Sequence, residues 1–205
     1  MDDLILKTFC FGELSANCYL IFSRTTKHAF IIDRPASSDE LDDFIESQGL
    51  KIDFVALTHA HFDHIGGLGK DTIPFYIHRQ DVPLLGDPNL NFSSLFLSPF
   101  SVKAKPRLYE EGKLLEFGEC RLEIIHTPGH TPGSVSLKLG NWLFSGDTLF
   151  YDSVGRTDIP LASSTEIIAS IKNKILSLPD DTIVYPGHGP ATTVGREKRE
   201  NPFLQ

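Results

Sequence analysis

The sequence has little of what would place it in a membrane, outside the cell or on nucleic acid. No run of about 18 apolar residues occurs, so a transmembrane helix is not expected. The opening Met1-Asp2-Asp3-Leu4 is acidic and has no basic stretch leading into an apolar one, so no secretory signal is expected. Cysteine is scarce. Cys10, Cys18 and Cys120 are odd in number and form no C-x-x-C pair, which fits buried free thiols in a reducing compartment. These features together predict a cytoplasmic protein. Lys and Arg number 19 against 27 Asp and Glu, and the formal charge of −8 argues against a general nucleic-acid binder. No G-x-S-x-G elbow is present, so a serine nucleophile is not expected. The chain shows no short-period repeat and no low-complexity linker, and at 205 residues it reads as one domain spanning 1–205.

Apolar residues make up 40% of the chain and charged residues 22%, enough for a sizeable soluble core. Strands are expected at 4–9, 18–22 and 29–32, the last ending at Asp33. A helix follows from the Ser38 cap to the Gly49 stop, with Leu41, Phe44 and Ile45 on one face. Residues 51–57 and 73–77 read as further strands. The stretch 79–107 is irregular. Its apolar segment, Leu90 to Phe100 including Leu97, reads as core by default, with a lid or a subunit contact as alternatives. The second half reads as strands at 114–117, 121–125, 134–139 and 142–145, with Gly140-Asn141 as a hairpin turn. An amphipathic helix is expected over 164–178 and a last strand over 182–185. Each half thus runs through strands into a ligand-bearing loop, and the expected ligands lie at strand ends where the halves meet.

One stretch organises the chain: Thr58-His59-Ala60-His61-Phe62-Asp63-His64-Ile65-Gly66-Gly67. Three imidazoles and a carboxylate within six residues make a poor core, because each buried polar group needs a partner. They suit a metal. Further candidates recur where an apolar strand runs into a Gly/Pro turn: His130 in Pro-Gly-His-Thr-Pro-Gly, Asp147 in Ser-Gly-Asp-Thr, and His188 in Pro-Gly-His-Gly. Glycine beside a ligand allows the sharp turn and close approach that a compact site requires. The donor set is imidazole and carboxylate with no thiolate, which suits a divalent metal, zinc first, with iron or manganese as alternatives.

His-x-His-x-Asp-His at 59–64, with His130, Asp147 and His188 downstream, resembles the metallo-β-lactamase superfamily over nearly the whole chain. The resemblance implies an α+β fold, a four-layer αβ/βα sandwich, in a single domain over 1–205. It also implies a binuclear site: His59, His61 and His130 at one metal, Asp63, His64 and His188 at the other, and Asp147 bridging. Asp63 and Asp147 are then the catalytic carboxylates. Two metals about 3.5–4 Å apart share a water, lower its pKa and polarise a carbonyl, so the protein needs no nucleophile of its own. Asp33 at its strand end is a candidate to support a ligand histidine. His126 is expected to be structural or to support a ligand.

Within the superfamily, zinc β-lactamases typically carry cysteine near position 147, so Asp147 argues against a lactamase. The stretch Gly146-Asp147-Thr148-Leu149-Phe150, then Ser153-Val154-Gly155-Arg156-Thr157-Asp158, resembles hydroxyacylglutathione hydrolases (glyoxalase II) and their small bacterial relatives. By that resemblance Arg156 binds the glutathione part of the substrate, with a local pair to Asp158 as its structural alternative. Full-length glyoxalase II adds a helical C-terminal domain and often has tyrosine where Asp158 stands. Here only Gly189 to Gln205 follow His188, and Lys198 and Arg199 read as a solvated tail. The expectation is a metal-dependent thioester hydrolase acting on a small molecule such as S-lactoylglutathione, without nucleic acid or membrane as partner. The alternative is a mononuclear iron persulfide dioxygenase, which resembles this chain in the same stretches. A ribonuclease-type or non-catalytic metal-binding member ranks behind both.

Overall fold

The structure, a computed structural model, describes residues 3–69, 73–96, 98–109, 112 and 114–205. Met1 and Asp2 of the expected signal-free start, and Leu97 of the apolar segment, lie outside the described residues. The chain divides into two compact units, residues 1–77 with 82–108 and residues 78–81 with 109–205.

The first unit is built on a six-stranded sheet in sequence order: β1 (Leu4–Phe11), β2 (Ala16–Ser23), β3 (His28–Ile32), β4 (Lys51–Ala56), β5 (Phe75–Ile77) and β6 (Arg107–Leu108). The meander β1-β2-β3 is antiparallel, and β3 to β6 run parallel. Helix α1 (Asp39–Gln48) makes the crossover between β3 and β4, as parallel neighbours require. Its ends are where local chemistry puts them. Ser38 accepts the Leu41 N–H, and Gly49 closes the helix at φ +62°, a conformation glycine adopts without a Cβ penalty. Leu41 then joins Leu20, Ile31, Val55 and Ile77 in a continuous apolar cluster. Short helices α2 (Phe62–Ile65) and α3 (Val82–Gly86) complete the unit.

The second unit carries another six-stranded sheet of β7 (Leu114–Phe117), β8 (Cys120–His126), β9 (Val135–Leu139), β10 (Trp142–Gly146), β13 (Ile183–Pro186) and β14 (Thr192–Thr193), in the order β14-β13-β10-β9-β8-β7. A two-stranded ribbon, β11 (Leu149–Phe150) with β12 (Ser153–Val154), leads out of β10. The Gly140-Asn141 hairpin forms as expected, pairing Leu139 with Trp142. The expected helix over 164–178 is α4 (Ser164–Ser170), which widens into a π-turn over Ile171–Ile175. Ile167, Ile171 and Ile175 still face inward, against Leu143, Val184 and Val194.

The expected solvated tail is a structured element. Thr193 caps α5 (Val194–Glu200), and the fully buried Glu197 accepts hydrogen bonds from Thr192 Oγ1, Arg196, Asn201 Nδ2 and the Asp152 N–H. Lys198 and Arg199 do remain exposed, on that helix. Among the described residues no helix is long and apolar enough to cross a membrane.

Candidate metal centre

In the first unit the ligand stretch is launched by β4, whose parallel pairing with β3 sets Ala56 against Ile32. The two strands therefore end level, and Asp33 meets the chain at Thr58. Asp33 sits at φ +54°, in the left-handed region, which Asp tolerates better than most side chains. Its buried carboxylate accepts the Thr58 N–H at 2.7 Å, the Thr58 hydroxyl at 2.7 Å and His64 Nδ1 at 2.7 Å. Asp33 thus holds His64, a candidate ligand, from its position at the strand end.

The same bonds fix two tautomers. A carboxylate only accepts, so His64 is protonated on Nδ1, and the neutral ring carries its lone pair on Nε2. The single hydroxyl proton of Thr58 is given to Asp33, so its oxygen accepts from His59 Nδ1 at 3.1 Å, which leaves the His59 lone pair on Nε2 as well. The rings gather accordingly. His59 lies 4.8 Å from His61 and 4.1 Å from His64 between centroids, and Asp63 Oδ2 is 3.9 Å from His64 Nε2. Gly66 and Gly67 permit this packing, since a Cβ on Gly66 would stand 2.3 Å from the Pro35 carbonyl oxygen.

The irregular stretch after α3 supports the motif in a way the sequence did not show. The Asn91 carbonyl accepts the Phe62 N–H at 2.8 Å, while its side chain accepts from Ser93 N and donates to the Phe100 carbonyl. Phe92, at φ +67°, lies edge-on to His61 at 4.9 Å, and Phe96 stacks on Phe62 at 4.3 Å. Leu90 and Phe100 pack on the core, as the default reading held, but Leu95 is 73% exposed. Asn91 carried no signal beyond an ordinary polar loop residue.

In the second unit β8, β10 and β13 all point the same way, and each ends in a loop that carries a candidate ligand. Gly146 pairs with Pro186, and Gly187 donates to the Gly146 carbonyl at 2.9 Å, so the Asp147 and His188 loops leave the sheet side by side. Asp147 Oδ2 is 3.5 Å from His130 Nε2 and 3.6 Å from His188 Nε2. His130 Nδ1 lies 3.0 Å from the Arg156 carbonyl, which can only accept, so Nδ1 carries a proton. A neutral His130 consequently directs a lone pair toward an anionic oxygen. That arrangement favours positive charge between them, either a proton or a metal ion. The donor set, imidazole Nε2 atoms and carboxylates with no thiolate, fits a divalent zinc, iron or manganese ion. The structure thus brings His59, His61, Asp63 and His64 together in one unit, and His130, Asp147 and His188 together in the other.

Two glycines hold these loops by lacking a side chain. A Cβ on Gly129 would stand 2.3 Å from the Ile167 nitrogen, and one on Gly155 would stand 1.8 Å from the Asp147 carbonyl oxygen. Gly155→Ala must push the Asp147 peptide aside, and denaturant unfolding should show it less stable by about 2–3 kcal/mol. An unchanged midpoint would mean that this contact does not constrain the Asp147 loop.

Arg156 is exposed, and its guanidinium is held by Asp158 at 2.9 and 3.0 Å. Those hydrogen bonds keep the Asp158 carboxyl below its ordinary pKa. The local pair anticipated from the sequence is therefore formed. His126 is structural: its ring stacks on His78 at 4.1 Å, and Nε2 bonds the Pro132 carbonyl at 2.9 Å. Burial pushes the Cys18 thiol well above its ordinary value, so it offers no thiolate.

The sequence profile of the Metallo-beta-lactamase superfamily matches residues 11–188. Among curated proteins, the "Probable metallo-hydrolase YqgX" of Bacillus subtilis (strain 168) is 40% identical, with 94% of each chain covered. The hydroxyacylglutathione hydrolase GloC of Haemophilus influenzae is 35% identical, with 92% of each covered. Among solved structures, BLEG-1 B3 metallo-beta-lactamase is 40% identical with a TM-score of 0.92, covering 98% of this chain and 100% of that one. TTHA1623 in a di-iron-bound form is 37% identical with a TM-score of 0.85, covering 97% and 100%. The α+β fold expected from the sequence is the one the chain has, and the clustered histidines and aspartates occupy the strand-end loops of that fold. The chain belongs to the metallo-beta-lactamase superfamily.

Proposed function

We propose that the chain is a glyoxalase II-like hydrolase that cleaves S-acylglutathione thioesters, such as S-lactoylglutathione, in the cytoplasm. The observation that carries this reading is the likeness to a hydroxyacylglutathione hydrolase along nearly the whole of both chains. In this reading the two units act as one domain with a centre for two divalent metal ions, zinc first. His59, His61 and His130 hold one ion, Asp63, His64 and His188 hold the other, and Asp147 serves both. Likeness to a protein solved with two irons supports the number, and it keeps iron beside zinc.

Such a pair of ions, when bound, activates water near neutral pH and polarises the thioester carbonyl. The chain supplies the rest. Asp33 and Thr58 lock the tautomers of His64 and His59, so both imidazoles approach through Nε2 without reorganising. The Arg156 carbonyl does the same for His130. Asp63 orients the attacking water and takes its proton as the C–O bond forms; the C–S bond breaks and that proton passes to the departing glutathione thiolate, while Asp147 stays with the ions. The exposed Arg156 guanidinium exchanges its Asp158 partner for a carboxylate of the glutathione moiety, a bidentate geometry it already makes. Arg156→Ala should raise KM for glutathione thioesters about tenfold with little change in kcat, the pattern of lost uniform binding. An unchanged KM would remove Arg156 from the substrate site.

A second reading, β-lactam hydrolysis, is favoured by the likeness to BLEG-1 and bears on the argument from Asp147 against a lactamase. Steady-state turnover of S-lactoylglutathione and of a β-lactam on one metal-analysed sample tests the choice. Thioester turnover exceeding that of the β-lactam is expected, and the reverse would favour the second reading. Oxygen uptake on glutathione persulfide with a single iron per chain would instead favour a persulfide dioxygenase.

A further inference from the structure

We propose that Asp81 is a positioning residue for the metal ligand His130, acting through Thr131 and Gly133; this inference rests on the binuclear reading above. The chain leaves the first unit at Ile77, gives residues 78–81 to the second, and returns at Val82. This short strap grips the His130 loop at both ends. On one side the His78 ring stacks on His126, whose Nε2 bonds the Pro132 carbonyl. On the other, the fully buried Asp81 carboxylate accepts the Thr131 hydroxyl at 2.8 Å and the Gly133 N–H at 2.7 Å.

The neighbours are shaped around that carboxylate. A Cβ on Gly133 would stand 2.6 Å from Asp81 Oδ1, so only glycine lets the backbone come this close. Ser134 Oγ bonds both the Thr131 hydroxyl at 2.7 Å and the Thr131 N–H at 3.0 Å, which ties the residue after His130 from a second direction. With Nδ1 fixed on the Arg156 carbonyl, backbone and ring of His130 are both constrained, and Nε2 is aimed at Asp147.

A buried carboxylate is costly against an apolar residue of similar size, and stability alone gives little reason to keep one. Charge-assisted bonds to two points flanking one ligand give a different reason: they hold that ligand's loop in a single geometry. The effect is confined to the ion that His130 holds. The bonds to Thr131 and Gly133 both reach the loop that carries His130.

The test uses the full chain and its Asp81→Ala, Asp81→Asn, Thr131→Val and His130→Ala variants. Zinc affinity and stoichiometry are measured by chelator competition, with cobalt absorption spectra as a second readout and melting of the metal-free proteins as the fold control. Asp81→Ala should weaken one of two equivalents about 10–100-fold and leave the other unchanged. Asp81→Asn should restore most of that loss. Its amide oxygen still accepts from Gly133, and its amide nitrogen can donate to the Thr131 oxygen. Thr131→Val, which deletes one bond without emptying the site, should fall between wild type and Asp81→Ala. Should Asp81→Ala not fold, unchanged zinc affinity in Thr131→Val overturns the role. So does a loss that strikes both equivalents alike. If His130→Ala itself keeps both equivalents, the binuclear reading fails and the positioning role falls with it. If His130→Ala loses one while Asp81→Ala keeps both, only the role of Asp81 is lost.

Discussion

Asp147→Ala should lose nearly all hydrolysis and, in the proposed two-metal centre, one of the two ions. The carboxylate lies between two imidazoles, 3.5 Å from His130 Nε2 and 3.6 Å from His188 Nε2. Alanine removes the anion between them, and in the proposed centre it removes the ligand common to both ions. The fall in kcat/KM should exceed the about 10–100-fold typical of losing a partner that merely orients a ligand. Asp147→Asn keeps the shape and one acceptor but not the charge, so it should lie between. Metal analysis and thioester turnover on both variants check this, and full activity in Asp147→Ala would sink the shared-ligand role.

The second large effect is at Asp33, where one side chain serves three donors. Asp33→Ala strands the Thr58 N–H, the Thr58 hydroxyl and His64 Nδ1–H in a buried setting. With about 1–3 kcal/mol for each unsatisfied group, the stability loss should reach at least about 3 kcal/mol by denaturant unfolding. Alanine is also a poorer occupant than Asp of a left-handed backbone position. Asp33→Asn separates folding from chemistry. Asparagine tolerates φ +54° and can still accept from Thr58, but its NH2 facing His64 favours a lone pair on Nδ1 and a proton on Nε2. That variant should stay folded yet bind metal about 10–100-fold more weakly. Wild-type affinity in a folded Asp33→Asn would show that the tautomer of His64 is not set from this side.

These two residues differ in how plainly the sequence announced them. Asp147 and the histidines stood out because ligand chemistry is compressed into short motifs, and because each ends an apolar strand in a glycine turn. Asp33 was visible only as an acid at a strand end. Its partners lie 25 and 31 residues away, brought near by the parallel pairing of β3 with β4. Asp81 gave no signal, since its bonds to Thr131 and Gly133 span 50 and 52 residues. Asn91 was equally silent, one polar residue in an irregular stretch.

The C-terminal helix was missed for a related reason. Residues 194–200 have no strong apolar period, and α5 is held by its Thr193 cap and the tertiary hydrogen bonds of buried Glu197. The pairing of Arg156 with Asp158 could be read directly, because the two are adjacent but for one residue. Local patterns thus announced most of the longer strands, α1 and the candidate ligands, whereas the groups that orient those candidates depend on contacts made only by the folded chain.

Metal content per chain, with S-lactoylglutathione turnover followed on the same sample through chelation and reloading, tests the proposed two-metal thioester hydrolase. Two divalent ions per chain are expected, with turnover lost as they are removed and regained as they are returned. A chain that holds two ions and leaves S-lactoylglutathione intact, or that works with one, would contradict that proposal.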